Sequence, residues 1–265
     1  MGVEEELPEN QDNFTDYWGE HLVDRAPCCS SIKFAHLDTA NNSWTSTKQQ
    51  QKVCDRALAV SDTSTESTIT DTIVVTHSMG NLMLAGAIAN GLCNLDSSST
   101  WVGLAAPMKG SMASDFVQES CAGETNIVWE KIGNITGRCP ASTALKSLAY
   151  QGGNNTSDEL DAAYTAAQEV YEKNVYAAMC SKWYSGIPSK YQAQFWALGV
   201  MVPHQSSKND GMNFKVALSD SPNRSLKILG NFYKTRLNHY DMEFLSGDSL
   251  LNGDKMPVKW FECLL

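Results

Sequence analysis

Along the chain, short β-branched blocks alternate with longer stretches whose apolar positions recur at helical spacing. Residues 72–76 (Thr-Ile-Val-Val-Thr) are a run of the type found in a buried central strand. The run stops at His77-Ser78-Met79-Gly80. Residues 81–89 (Asn-Leu-Met-Leu-Ala-Gly-Ala-Ile-Ala) are then apolar and rich in small side chains, which predicts a helix able to pack closely on a sheet. A second buried strand is predicted at residues 100–106, broken by Pro107, and a third at residues 195–202, ended by Pro203. Residues 231–237 (Asn-Phe-Tyr-Lys-Thr-Arg-Leu) alternate as an edge strand would. Strands separated by helical stretches argue for the α/β class, a mostly parallel sheet with helices on both faces, formed as one domain over residues 1–265.

Almost ninety residues lie between the second and third predicted strands, too many for a plain crossover loop. The span 108–194 is therefore expected to be an insertion with its own structure, a helical cap or lid. Within it Thr156 and Glu159 read as a capping box, and Leu160, Ala163, Tyr164, Ala167, Val170, Tyr171, Val175 and Ala178 recur at helical spacing. Packing of that stripe onto the domain is preferred over a lipid-binding face.

Charge narrows the partners. With 20 Lys plus Arg against 30 Asp plus Glu the net charge is −10, and no basic cluster makes a local exception, so nucleic acid is excluded as a partner. A composition 42% apolar and 19% charged excludes a disordered chain. The longest apolar run, residues 195–203, is less than half of what a bilayer span needs, so no transmembrane segment is expected. The eight cysteines, at 28, 29, 54, 93, 121, 139, 180 and 263, show no two-residue spacing suited to a metal, and they read as up to four disulfides in an oxidising compartment. Asn13, Asn41, Asn134, Asn154, Asn155 and Asn223 are glycosylation acceptors by pattern and point the same way. Residues 1–13 are acidic and polar, unlike a signal peptide. The expectation is a secreted or secretory-pathway protein whose leader is missing from this chain.

The candidate chemistry sits at Thr76-His77-Ser78-Met79-Gly80. A serine on a sharp turn between a buried strand and a helix is a nucleophile elbow, normally G-x-S-x-G. The turn lifts the hydroxyl above the sheet and sets the backbone N–H of the next residue, here Met79, beside a developing oxyanion. Gly80 meets the need for a small residue two positions after the serine. Thr76, two positions before it, departs from the pattern. Serine needs a neutral imidazole to take its proton, and that imidazole needs a carboxylate to hold its other nitrogen.

From this point the chain resembles the α/β-hydrolase family, in its lipase-like and esterase-like members. The resemblance covers roughly residues 70 to 245. It rests on the elbow, on residues 103–111 (Gly-Leu-Ala-Ala-Pro-Met-Lys-Gly-Ser) as the next strand end and turn, on Asn209-Asp210-Gly211-Met212 as the acid loop, and on Asn238-His239-Tyr240-Asp241 as the histidine loop. It implies Ser78 as nucleophile, Asp210 as acid and His239 as base, in the family's chain order. Competing bases are His77, whose side chain the turn should point away, His21 and His36, which precede the elbow, and His204, which would share a single loop with Asp210. Asp220 and Asp241 are alternative acids.

One family feature is missing. The second oxyanion donor normally follows an earlier strand, often at a His-Gly pair, and no His-Gly dipeptide occurs here. Either residues 31–37 are that strand and residues 38–42 the donating loop, or residues 31–37 are the next strand, residues 13–23 the helix before it, and the oxyanion strand was lost upstream. The second reading is preferred, although it leaves an unpaired sheet edge. The functional expectation is a serine hydrolase of carboxylic esters acting on a small-molecule or lipid ester, with no cofactor and no metal. A catalytically silent relative, and a thioesterase or lipid-anchor deacylase using the same residues, are the alternatives. The sequence does not speak to oligomeric state.

Overall fold

The structure, a computed structural model of the chain, describes residues 3–22, 25–123, 139–202, 210 and 230–264. The expectations attached to Asn134, His204, Asn209, Gly211, Met212, Asp220 and Asn223 lie outside the described residues.

Four parallel strands form the central sheet in the order β1-β2-β3-β4, with β1 Ile73–His77, β2 Thr100–Leu104, β3 Val175–Ser181 and β4 Phe232–Thr235. The register runs from Ile73 opposite Thr100 to His77 opposite Leu104, so the ends of β1 and β2 lie level. Helices α1 (Thr47–Leu58), α2 (Met79–Ala89) and α4 (Asp158–Asn174) cover one face, and α2 packs against both of the others. Trp101 in β2, Leu82 and Met83 in α2, and Tyr164 and Tyr171 in α4 fill that core. On the other face Val102, Leu104, Ala177, Met179 and Tyr233 meet Phe244 and helix α6 (Pro257–Glu262), which contributes Trp260 and Phe261. Successive residues of β2 thus alternate between two apolar cores, which is why the strand reads as a continuous apolar run. The fold is α/β with a parallel sheet between helical layers, as the strand and helix spacing predicts.

Two local readings need correction. Residues 195–202 are not a strand: helix α5 (Gln192–Met201) occupies them, following α3 (Met112–Ala122) and α4 in the chain. A short apolar run cannot separate strand from helix by periodicity, and here Gln, Ala, Leu and Met supply helix propensity while β-branched residues are scarce. The third strand is β3, inside the span 108–194, so that span holds the crossover helix α4 and a sheet strand. It was hidden because α4 passes straight into β3 with no turn residue, and Val175 and Ala178 keep the helical spacing of the stripe before them. The N-cap of α4 is Ser157, whose hydroxyl accepts from the N–H of Leu160, while Thr156 donates to the Asp161 carboxylate at 2.9 Å. The stripe residues Tyr164, Ala167 and Tyr171 are buried on the domain, the arrangement preferred from the pattern.

Residues 31–37 do not join the main sheet. They carry one antiparallel bridge, Phe34 to Gln11, and a short helix, Thr15–Trp18, stands where residues 13–23 predict one. Among the described residues β1 is a sheet edge. A cavity of about 1290 Å³ lies against it, lined by Ile73, Val75, Phe34 and Leu37 and also by Ser78 and His239. Disulfides join Cys54 to Cys93 and Cys121 to Cys139, two of the four that eight cysteines allow. They point to an oxidising compartment. No helix among the described residues is long and apolar enough to cross a membrane.

Candidate active site

The strand β1 ends at His77 and α2 begins at Met79, so Ser78 alone makes the turn. Its φ of 53° and ψ of −128° lie in a region that costs a non-glycine residue about 1–3 kcal/mol. Asn81 holds this geometry from within. Its side-chain amide donates to the carbonyls of Leu104, Ser78 and Thr76 at 2.9, 3.0 and 3.3 Å, and its Oδ1 accepts from the Thr76 hydroxyl at 2.7 Å. The same hydroxyl accepts from the Trp101 indole N–H at 2.7 Å. Thr76 therefore departs from glycine for a reason: it is the polar link between the elbow and the core beneath. A methyl group on Gly80 would stand 3.8 Å from the Thr76 side chain, an ordinary contact, so the elbow accommodates the threonine. Gly103 is less replaceable, since a Cβ there would meet Tyr171 Oη at 2.3 Å and Asn81 Oδ1 at 2.8 Å.

His239 lies in the loop after β4, and that loop is fixed by buried polar groups. The Asn238 Oδ1 accepts from the N–H groups of Tyr240 and Asp241, and the Asp241 carboxylate accepts from the N–H of Ile187 at 2.7 Å. Burial pushes the Asp241 pKa up, and its role is to brace the loop rather than to face an imidazole. Asp210 faces His239 instead: His239 Nδ1 donates to Asp210 Oδ2 at 2.7 Å, and the His239 N–H donates to the Asp210 carbonyl at 3.1 Å. Because a carboxylate can only accept, the Nδ1 proton fixes Nε2 as the basic nitrogen. The Ser78 hydroxyl donates to that nitrogen at 2.9 Å. Ser78, His239 and Asp210, distant in sequence, thus form one hydrogen-bonded line. Asp210 and His239 are each 3% exposed, and burial holds the His239 pKa below the ordinary imidazole value in spite of the carboxylate beside it.

Met79 is the first residue of α2, so its N–H is among the helix-terminal donors without an intrahelical acceptor, beside Ser78. The loop at 38–42 does not supply a second donor of this kind from its first turn. The N–H groups of Thr39 and Ala40 donate to the Val3 carbonyl, and that of Asn41 to the Asp38 carboxylate. His77 is the residue the sequence undervalued. Its ring points away from Ser78, as the turn predicts, but lies 4.7 Å from the His239 ring and is buried against Glu243 and Tyr17. No sequence pattern links His77 to Glu243, because only the fold brings β1 and the histidine loop together. His36 stacks on Phe14, away from this line, and His21 lies against Gly247. No cluster of His, Cys, Asp or Glu among the described residues has the arrangement to hold a metal.

Such a line can move a proton from a serine hydroxyl to an imidazole while a buried carboxylate stabilises the imidazolium. No protein-family model matches the chain, and no curated protein matches it in sequence. Solved structures do match: a Bacillus licheniformis lipase in its mature form shares 11% identity with a TM-score of 0.50, over 90% of this chain and 88% of that one. At that identity the likeness speaks to the fold alone, and the fold is of the α/β-hydrolase type.

Proposed function

We propose that the chain is a serine hydrolase of carboxylic esters with Ser78 as nucleophile, His239 as general base, Asp210 as its orienting acid and the Met79 N–H as an oxyanion donor. The observation that carries this reading is the hydrogen-bonded line Asp210–His239–Ser78 opening into the large cavity. As Ser78 Oγ bonds to the acyl carbon, its proton passes to His239 Nε2. The acyl C–O bond then breaks, and the same proton leaves with the alcohol. Water attacks the acyl-enzyme with His239 taking its proton, the Ser78 ester bond breaks as that proton passes from His239 to Ser78 Oγ, and the carboxylic acid departs. The apolar wall of Phe34, Leu37, Ile73 and Val75 suits an acyl chain. Helix α5 fits a cover for the site, since Phe195 lies 6.3 Å from the His239 ring while Trp196 and Val200 are exposed. The two disulfides and the exposed acceptors Asn13, Asn41 and Asn154 suit passage through a secretory pathway.

Fluorophosphonate labelling of the folded chain tests the reading, with Ser78→Ala as reference. Labelling of the wild type and none of the variant is expected. An unlabelled wild type would favour the catalytically silent relative, a reading in keeping with the engaged amides of Thr39, Ala40 and Asn41. A panel of oxygen esters and thioesters of graded chain length then separates esterase, lipase and thioesterase. A pH profile gives a further prediction. Hydrolysis needs neutral His239, and burial lowers its proton affinity, so the neutral form persists to lower pH than for a free imidazole. The acid limb of kcat/KM is expected below pH 6.5, and a limb at pH 7 or above would contradict this.

A further inference from the structure

We infer that His77 is a positioning residue for His239: its Nε2–H ties the backbone carbonyl of His239 to the end of the nucleophile strand, with the Tyr17 hydroxyl bonded to its other ring nitrogen. This rests on the serine-hydrolase reading above and adds a residue to its machinery. His77 Nε2 lies 2.9 Å from the His239 carbonyl oxygen, 162 positions away in the chain. A carbonyl only accepts, so Nε2 carries the proton. On the opposite edge of the ring Nδ1 lies 2.9 Å from the Tyr17 hydroxyl and 3.1 Å from Glu243 Oε2. Both ring nitrogens are thus engaged, and neither faces Ser78, so His77 is not a rival base.

Its placement gives the bond its importance. His77 is joined covalently to Ser78, and the atom it holds belongs to His239 itself. The distance between Ser78 Oγ and His239 Nε2 therefore depends on how the loop at residues 238–240 sits on the end of β1, and this bond sets that. Burial favours a specific purpose over an incidental contact. The His77 side chain is 2% exposed, and a buried imidazole is expensive unless its ring nitrogens are bonded, as they are here to the His239 carbonyl and the Tyr17 hydroxyl. The groups facing His239 are Asp210 at Nδ1, Ser78 at Nε2, His77 beneath the ring, Glu243 behind His77, and Tyr240 at its side. Glu243 favours a protonated His239 across this stack, so its removal is expected to lower the proton affinity of His239.

The test compares wild type, His77→Leu, His77→Gln, Glu243→Gln and Ser78→Ala as full chains, by fluorophosphonate labelling rate and hydrolysis of p-nitrophenyl butyrate. His77→Leu is expected to lower kcat and the labelling rate about 10- to 100-fold with KM changed less than about twofold, as displacement of a base by a fraction of an ångström would. His77→Gln, whose side-chain N–H can reach the same carbonyl, is expected to recover most of the loss. The low-field proton resonance of the His239–Asp210 hydrogen bond is expected to broaden in His77→Leu and to persist in His77→Gln. Glu243→Gln is expected to move the acid limb of kcat/KM to lower pH. If wild type labels and His77→Leu labels as fast, the positioning role is overturned while the hydrolase reading stands. If wild type does not label, or labels no faster than Ser78→Ala, the hydrolase reading fails and this inference with it. Should His77→Leu fail to fold, His77→Ala takes its place, and His77→Gln labelling no faster than His77→Ala overturns the inference.

Discussion

Asp210→Asn is expected to lower kcat for ester hydrolysis by about 10³- to 10⁴-fold with the fold retained. Oδ2 of Asp210 accepts the His239 Nδ1 proton at 2.7 Å, and this bond keeps Nε2 free to take the Ser78 proton. An asparagine of the same shape can turn its amide toward Nδ1 and donate. The imidazole then carries its proton on Nε2, where it faces Ser78 as a donor and cannot act as a base. Loss of the carboxylate charge also leaves the imidazolium of the transition state uncompensated in a buried site. The backbone bond from the His239 N–H to the Asp210 carbonyl is untouched by the substitution, so the loop should keep its place. The check is steady-state hydrolysis of p-nitrophenyl butyrate alongside circular dichroism and thermal unfolding. A loss under tenfold in a folded variant would mean that another carboxylate orients His239.

What could be read from sequence follows the range of the interaction responsible. The elbow was legible because its causes are local: a β-branched strand, one serine and a helix of small residues occupy consecutive positions 72–89. His239 and Asp210 were legible through their order and their loop neighbours, which the family resemblance supplied. The third strand was not, since nothing between Asn174 and Val175 breaks the helical spacing, whereas the apolar run at 195–202 carried the composition of a strand and the propensities of a helix. His77 was correctly turned away from Ser78, yet its partner Glu243 could not be found, because the pairing exists only once β1 and the histidine loop are brought together. Thr76 looked like a defect in the motif for the same reason: its partners Trp101 and Asn81 lie on a neighbouring strand and on the following helix.

That last cluster carries the second large prediction, that Asn81→Leu destabilises the chain by about 3–4 kcal/mol, a large share of the roughly 5–15 kcal/mol typical of a folded domain. Leucine is close in volume, so the loss is polar. Four hydrogen bonds disappear, at about 0.5–1.5 kcal/mol each, and the Thr76 hydroxyl is left without an acceptor in a fully buried site. The carbonyls of Leu104 and Ser78 keep other donors, the N–H groups of Ser78 and Asn81, which limits the penalty. The turn at Ser78 suffers further, because its strained dihedrals were held by the Asn81 bond to its own carbonyl. Urea unfolding measures the stability, and fluorophosphonate labelling of the folded fraction measures the serine. Thr76→Val breaks the same network from its other end, stranding the Trp101 indole N–H and Asn81 Oδ1. The double variant should therefore cost less than the two single losses added together, by at least about 1 kcal/mol. Strict additivity would mean that Thr76 and Asn81 act independently, and that the threonine in the elbow is tolerated rather than used.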